Sequence, residues 1–120
     1  MNNDEIIKSI KNDFRLGMNG IISTSMRNKG MDYKIIFGLS LPQLRSLSEK
    51  YSPNPEVATR LWNENIRESK LLATMIFPAS EMDIEVAKKW IDENNQDGIR
   101  PESINVSLLA NGTVKQTIDI

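Results

Sequence analysis

The sequence predicts an all-α fold: about six short helices in antiparallel pairs, stacked as a solenoid, then a C-terminal β-hairpin or a loose tail. Three observations lead there. Apolar residues recur at three- and four-residue intervals as far as Asn94. Serine, Asn-Pro or glycine punctuates each block, as helix caps and stops do. The blocks run about ten residues with short joints, which folds consecutive helices back beside one another.

Ile6, Ile7, Ile10 and Phe14 form one apolar face of a first helix, which Gly17 ends or bends. Ile21, Ile22 and Met26 mark a second, closed near Asn28-Lys29-Gly30 by a left-handed glycine. Tyr33 to Gly38 is an apolar connector, helical or extended. Ser40-Leu41-Pro42-Gln43 then gives the strongest local signal in the chain. Ser40 and Gln43 can cap reciprocally, Pro42 sits where its missing N–H costs nothing, and Leu39 and Leu44 flank them as a staple. Leu41, Leu44, Leu47 and Tyr51 line that third helix. Asn54-Pro55 opens a fourth, with Val57, Ala58, Leu61 and Trp62 inward. Asn65 to Glu68 reads as a second capping box, opening a fifth helix that Pro78 stops. Ser80 is the expected cap of a sixth, with Val86, Ala87, Trp90 and Ile91 facing inward.

The period changes after Asp97. Ile104, Val106 and Leu108 alternate, as do Val114, Gln116, Ile118 and Ile120 beyond Asn111-Gly112. A three-residue loop at Ala110-Asn111-Gly112 would pair Leu108 with Val114 and Ile104 with Ile118. The expected division is a helical domain over 1–96 and a hairpin or tail over 97–120. A lone hairpin is marginal, so it would pack on the helices, cap their open end or pair with a second copy.

Composition narrows the chemistry. The 120 residues include no cysteine and no histidine. Disulfides, zinc fingers, thiol nucleophiles and a Ser-His-Asp triad are thereby excluded. No phosphate-binding glycine loop occurs. No catalytic residue, metal ligand or cofactor is expected. An acidic N-terminus without an apolar core, and no long apolar run, lead to a cytoplasmic expectation with no membrane partner. Net charge is −1, but it is unevenly spread. Residues 1–51 carry eight Lys/Arg against five Asp/Glu, whereas residues 52–96 carry five against eight.

Several of these residues also carry a family likeness. Ser25-Met26-Arg27-Asn28-Lys29-Gly30 leads to Phe37-Gly38-Leu39-Ser40-Leu41-Pro42-Gln43-Leu44-Arg45, then Leu61-Trp62-Asn63, then Arg67-Glu68 with Ala73. This stretch, from Ser25 to Asn94, resembles the bacterial DNA alkylation repair enzyme family, DNA glycosylases built from HEAT-like helical repeats. The resemblance implies a curved array of paired helices with a concave, basic DNA-facing surface. In glycosylase members, aromatic residues and an aspartate in a Trp-Trp-Asp-like segment assist departure of the alkylated base. This chain departs there: after Ala87-Lys88-Lys89-Trp90-Ile91-Asp92 no Trp-Trp-Asp follows. The expectation is therefore a shortened relative without glycosylase activity of its own.

Arg27, Lys29, Lys34 and Arg45 form the best basic cluster, either a phosphate-contacting edge or a solvated face. Tyr33 would stack on a base or cover the first helix pair. Trp62 and Trp90, at helical spacing among aliphatic residues, are expected in the core. Arg67 and Glu68 are expected as a buried structural pair. The expected partner is duplex DNA, bound weakly and salt-dependently. The alternative is a protein-interaction scaffold, or a homodimer formed through the C-terminal tail.

Overall fold

The computed structural model describes residues 2–94 and 101–110. It is all-α, with helices α1 (Asn3–Gly17), α2 (Gly20–Asn28), α3 (Leu41–Glu49), α4 (Pro55–Trp62), α5 (Arg67–Ile76), α6 (Ile84–Asn94) and α7 (Pro101–Ala110). A single 3₁₀ turn, Ala79–Glu81, precedes α6.

The local signals explain most helix ends. Gly30 takes φ +99°, and the N–H groups of Gly30 and Met31 return to the carbonyls of Arg27 and Met26, closing α2 in a Schellman arrangement. Asn54 caps α4 by accepting from Glu56 and Val57. Ser40 and Gln43 make both bonds of the capping box, at 3.2 and 2.8 Å. Ser40→Ala is expected to cost about 1 kcal/mol, read as a lower urea midpoint at unchanged slope.

Two caps differ from expectation. The residue before α5 is Ile66, with no side-chain cap. Glu68 turns away from the helix start to serve the connector, so no capping box forms. At α6 it is Asp83, not Ser80, that accepts from an early N–H, that of Val86 at 2.8 Å. Ser80 lies within the 3₁₀ turn instead.

Helix α5 is the hub, packing against α3, α4 and α7. Helix α1 covers α3 and α4, and α6 packs on α7. The core includes Ile10, Phe14, Leu39, Leu44, Leu61, Trp62, Leu72, Ile76, Trp90 and Val106. Trp62 and Trp90 stack at 4.8 Å, and Phe77 meets Trp90 edge-on. Both indoles are buried, as their helical spacing indicates. Polar side chains of α5 finish the end of α4. Ser69 donates to Leu61 O and Lys70 to Trp62 O, each at 2.7 Å, where α4 leaves carbonyls without intrahelical partners.

The expected strand from Ile104 to Leu108 is instead helical, within α7. Polar bonds favour the helix over the alternating pattern. Buried Glu102 accepts from Tyr33 Oη at 2.6 Å and from Asn94 Nδ2 at 3.1 Å, and Val106 is fully enclosed. The expected turn at Asn111-Gly112 and the second strand lie outside the described residues.

Candidate nucleic-acid interface

The basic cluster is built around the connector from Met31 to Ser40, which runs extended between α2 and α5. On the α2 side three residues spaced by four hold it. Asn19 N–H donates to Phe37 O at 2.8 Å, Ser23 Oγ to Ile36 O at 2.7 Å, and Arg27 to Tyr33 O at 2.8 Å and Lys34 O at 3.0 Å. That spacing places all three on one side of α2.

On the α5 side, Ile35 and Ile66 form a parallel bridge. Glu68 then accepts from the N–H groups of Phe37 and Gly38, at 2.8 and 3.1 Å. Arg67 Nη1 lies 2.7 Å from Glu68 Oε2 and also donates to Leu39 O at 2.8 Å. Both side chains are buried, Glu68 completely. The pair therefore neutralises itself while satisfying three backbone groups of the connector.

Gly38 lets the layers close. Its φ is +88°, and a Cβ there would lie 2.3 Å from Asn19 O. Only glycine accepts both the left-handed backbone and that approach.

The five residues singled out from sequence fare differently. Lys29, just after α2, and Lys34, on the pinned connector, are exposed. Arg27 is exposed overall, but its guanidinium bridges two connector carbonyls. Arg45 is half-buried on α3. Tyr33 is 4% exposed and donates to Glu102, so it covers the helices and offers no open ring for base stacking. Arg27, Lys29, Tyr33 and Lys34 come together at the α2–connector edge, while Arg45 stands on the following helix.

A second feature, a cleft of about 250 Å³, is lined by Ile6, Lys50, Tyr51, Asn54, Val57 and Ile76. Tyr51 donates to Asp13 at 2.6 Å, and Lys50 reaches the same carboxylate. Burial, then the bond to Asp13, pushes the Tyr51 phenol above its ordinary pKa, so it stays protonated and tethers α1 to the end of α3. Among the described residues no group of carboxylates is arranged to hold a metal ion.

The family model of the DNA alkylation repair enzyme matches residues 10–99, three-quarters of the chain. The chain belongs to the DNA alkylation repair enzyme family. That match runs from the second half of α1 to the end of α6 and takes in the whole connector. A second family model, the Cna protein B-type domain, matches residues 84–120 and overlaps the first on α6. A 50-residue stretch is 42% identical to a collagen adhesin of Staphylococcus aureus, covering 42% of this chain and 4% of that protein. The chain thus spans only a small fraction of the length of that relative. No solved structure gives a significant match. In this family member no helix among the described residues is long and apolar enough to cross a membrane.

Sequence reasoning flagged Arg67 and Glu68 as a pair but missed what they grip. The missing signal was long-range: Glu68 serves residues thirty positions earlier, which no capping pattern encodes. Glu102 was also missed, because the alternating pattern around it reads as a strand.

Proposed function

We propose that this family member binds duplex DNA through Lys29 and Lys34, aided by Arg27 and Arg45, and does not release bases by itself. The carrying observation is that exposed Lys34 sits on a segment fastened from both sides, by α2 and by the Arg67–Glu68 pair, with exposed Lys29 at the nearby end of α2. A backbone already held in place loses little further conformational entropy when its side chains meet phosphates. Family membership supports the choice of ligand. Two observations support the absence of base release. The Trp-Trp-Asp segment has no counterpart in the sequence, and both tryptophans are committed to the core.

The affinity would be modest and salt-sensitive. Raising salt from about 50 to 200 mM should weaken binding about tenfold for two phosphate contacts and about a hundredfold for four. Fluorescence anisotropy of a labelled duplex tests this. Replacing Lys29 and Lys34 by alanine should lower the log–log salt slope by about two. Wild-type anisotropy that never rises, together with a mass that grows with protein concentration, would instead favour the self-associating scaffold.

A further inference from the structure

Helix α7 docks mainly through polar groups. Between Glu102 and Ser107 the buried side chains are Glu102, Ser103, Asn105 and Val106, while Ile104 is 40% exposed. Val106 is the sole apolar member of that buried set, so docking gains little from the hydrophobic effect. The buried amide oxygens of Asn94 and Asn105 have no hydrogen-bond partner among the described residues. Each unpaired acceptor weakens the docked state. The alternation of Ile104, Val106 and Leu108 gives the segment an extended form that competes with the helix. Helix α7 also starts beyond residue 99, where the match to the repair family ends. An element held in this way opens before α4 and α5 do.

Glu102 fastens it. The carboxylate is fully buried and accepts from Tyr33 Oη at 2.6 Å and from Asn94 Nδ2 at 3.1 Å. The first bond lays α7 over the phenol end of Tyr33, a ring that stands in the chain between Lys29 and Lys34. The backbone at Tyr33 is held without α7. Arg27 donates to the carbonyls of Tyr33 and Lys34, and Ile35 bridges to Ile66. Departure of α7 would therefore uncover the ring and leave the basic edge in place.

We infer that α7 is a latch on the DNA edge: docked, Glu102 keeps the Tyr33 ring covered, and released, the ring stacks on an unpaired base beside Lys29 and Lys34. The inference rests on the DNA-binding reading above and adds regulation to it. Docking and stacking exclude one another because both use the same ring. Stacking one base on an aromatic side chain changes affinity by about tenfold, so release of α7 is readable as a preference for DNA with an unpaired base.

The test compares a blunt duplex with one carrying a single-stranded overhang, for the full chain and two variants. Tyr33→Phe breaks the bond to Glu102 and keeps a ring; Tyr33→Leu breaks the same bond and removes the ring. In both, the α7 amides should lose hydrogen-exchange protection while those of α4 and α5 keep theirs. Tyr33→Phe should then prefer the overhang about tenfold, with the wild type and Tyr33→Leu showing no such preference. Glu102→Gln keeps the side-chain shape but gives up the charge-assisted bond, and should show part of both effects. It decides the matter if the Tyr33 variants do not fold. Unchanged protection of α7 overturns the inference, as does a released α7 with no gain for the overhang or an equal gain in Tyr33→Leu. Salt-dependent wild-type binding would in those cases leave the basic-edge reading standing. Absence of DNA binding by the wild type and every variant at about 50 mM salt overturns both.

Discussion

Glu68→Ala is expected to destabilise the fold by about 3–5 kcal/mol, a large part of the stability of a domain this size. The carboxylate is completely buried and accepts from Phe37 N, Gly38 N and Arg67. Its removal leaves the buried Arg67 guanidinium without a counter-charge and orphans two backbone N–H groups. Each of those losses is costly where water cannot enter. The urea midpoint should fall steeply with little change in slope, and Tm should drop by roughly 10–20 °C. Removing both charges, in Arg67→Met/Glu68→Leu, should restore part of the loss, because the unpaired charge is gone while the connector amides stay unsatisfied. The double-mutant cycle would then show strong coupling. A single-variant loss under about 1 kcal/mol would mean that the pair is replaceable by solvent and does not hold the connector.

Should the connector loosen, Lys34 loosens with it. On the proposed reading that the connector edge meets DNA, Glu68→Ala should therefore weaken binding even at temperatures where the variant remains folded. Glu68 touches no ligand in this account; it positions Lys34 through the backbone of Phe37 and Gly38. Comparing the salt slope with the affinity separates the two effects. A looser connector lowers affinity with the number of phosphate contacts nearly unchanged, whereas loss of Lys34 itself lowers the slope.

The helices were legible because their signals are local. The capping box at Ser40, the Asn54-Pro55 start and the Gly30 stop each depend on residues within one turn, and all three stand as read. The failures are cases where a distant group outbid a local one. Glu68 was read as a capping partner, but two amides from the connector and an adjacent guanidinium claimed it. Ile104 to Leu108 was read as a strand from its alternation. A helix that lets Glu102 meet Tyr33, sixty-nine residues earlier, prevailed. The same bond removed Tyr33 from the candidate surface. Lys29 and Lys34 needed no such long-range knowledge, since exposure is the ordinary state of a lysine. Ile21 and Ile22 mark α2 by their spacing, but spacing does not say how the helix turns, and the hydrogen bonds of Ser23 and Arg27 to the connector leave both exposed.

Gly38→Ala should be the second most damaging change, at about 3 kcal/mol or more, although it adds only one methyl group. The left-handed backbone accounts for about 1–2 kcal/mol of that. The remainder follows from where the methyl would go. A Cβ at position 38 would sit 2.3 Å from Asn19 O and 3.1 Å from Ser23 N, both backbone atoms of the first turn of α2 with no flexible end to move aside. The connector must therefore lift off α2, stretching the Asn19 N–H to Phe37 O bond on one side or the Glu68 bonds on the other. Hydrogen exchange distinguishes this from simple backbone strain. Strain alone would lower protection throughout the domain in proportion to global stability. Lifting the connector should deprotect the amides of Asn19, Phe37 and Gly38 first, while those of α4 and α5 keep the protection that the remaining global stability allows. If instead all amides lose protection together, connector and helices unfold as one unit, and the glycine matters to the whole fold rather than to the edge that carries Lys34.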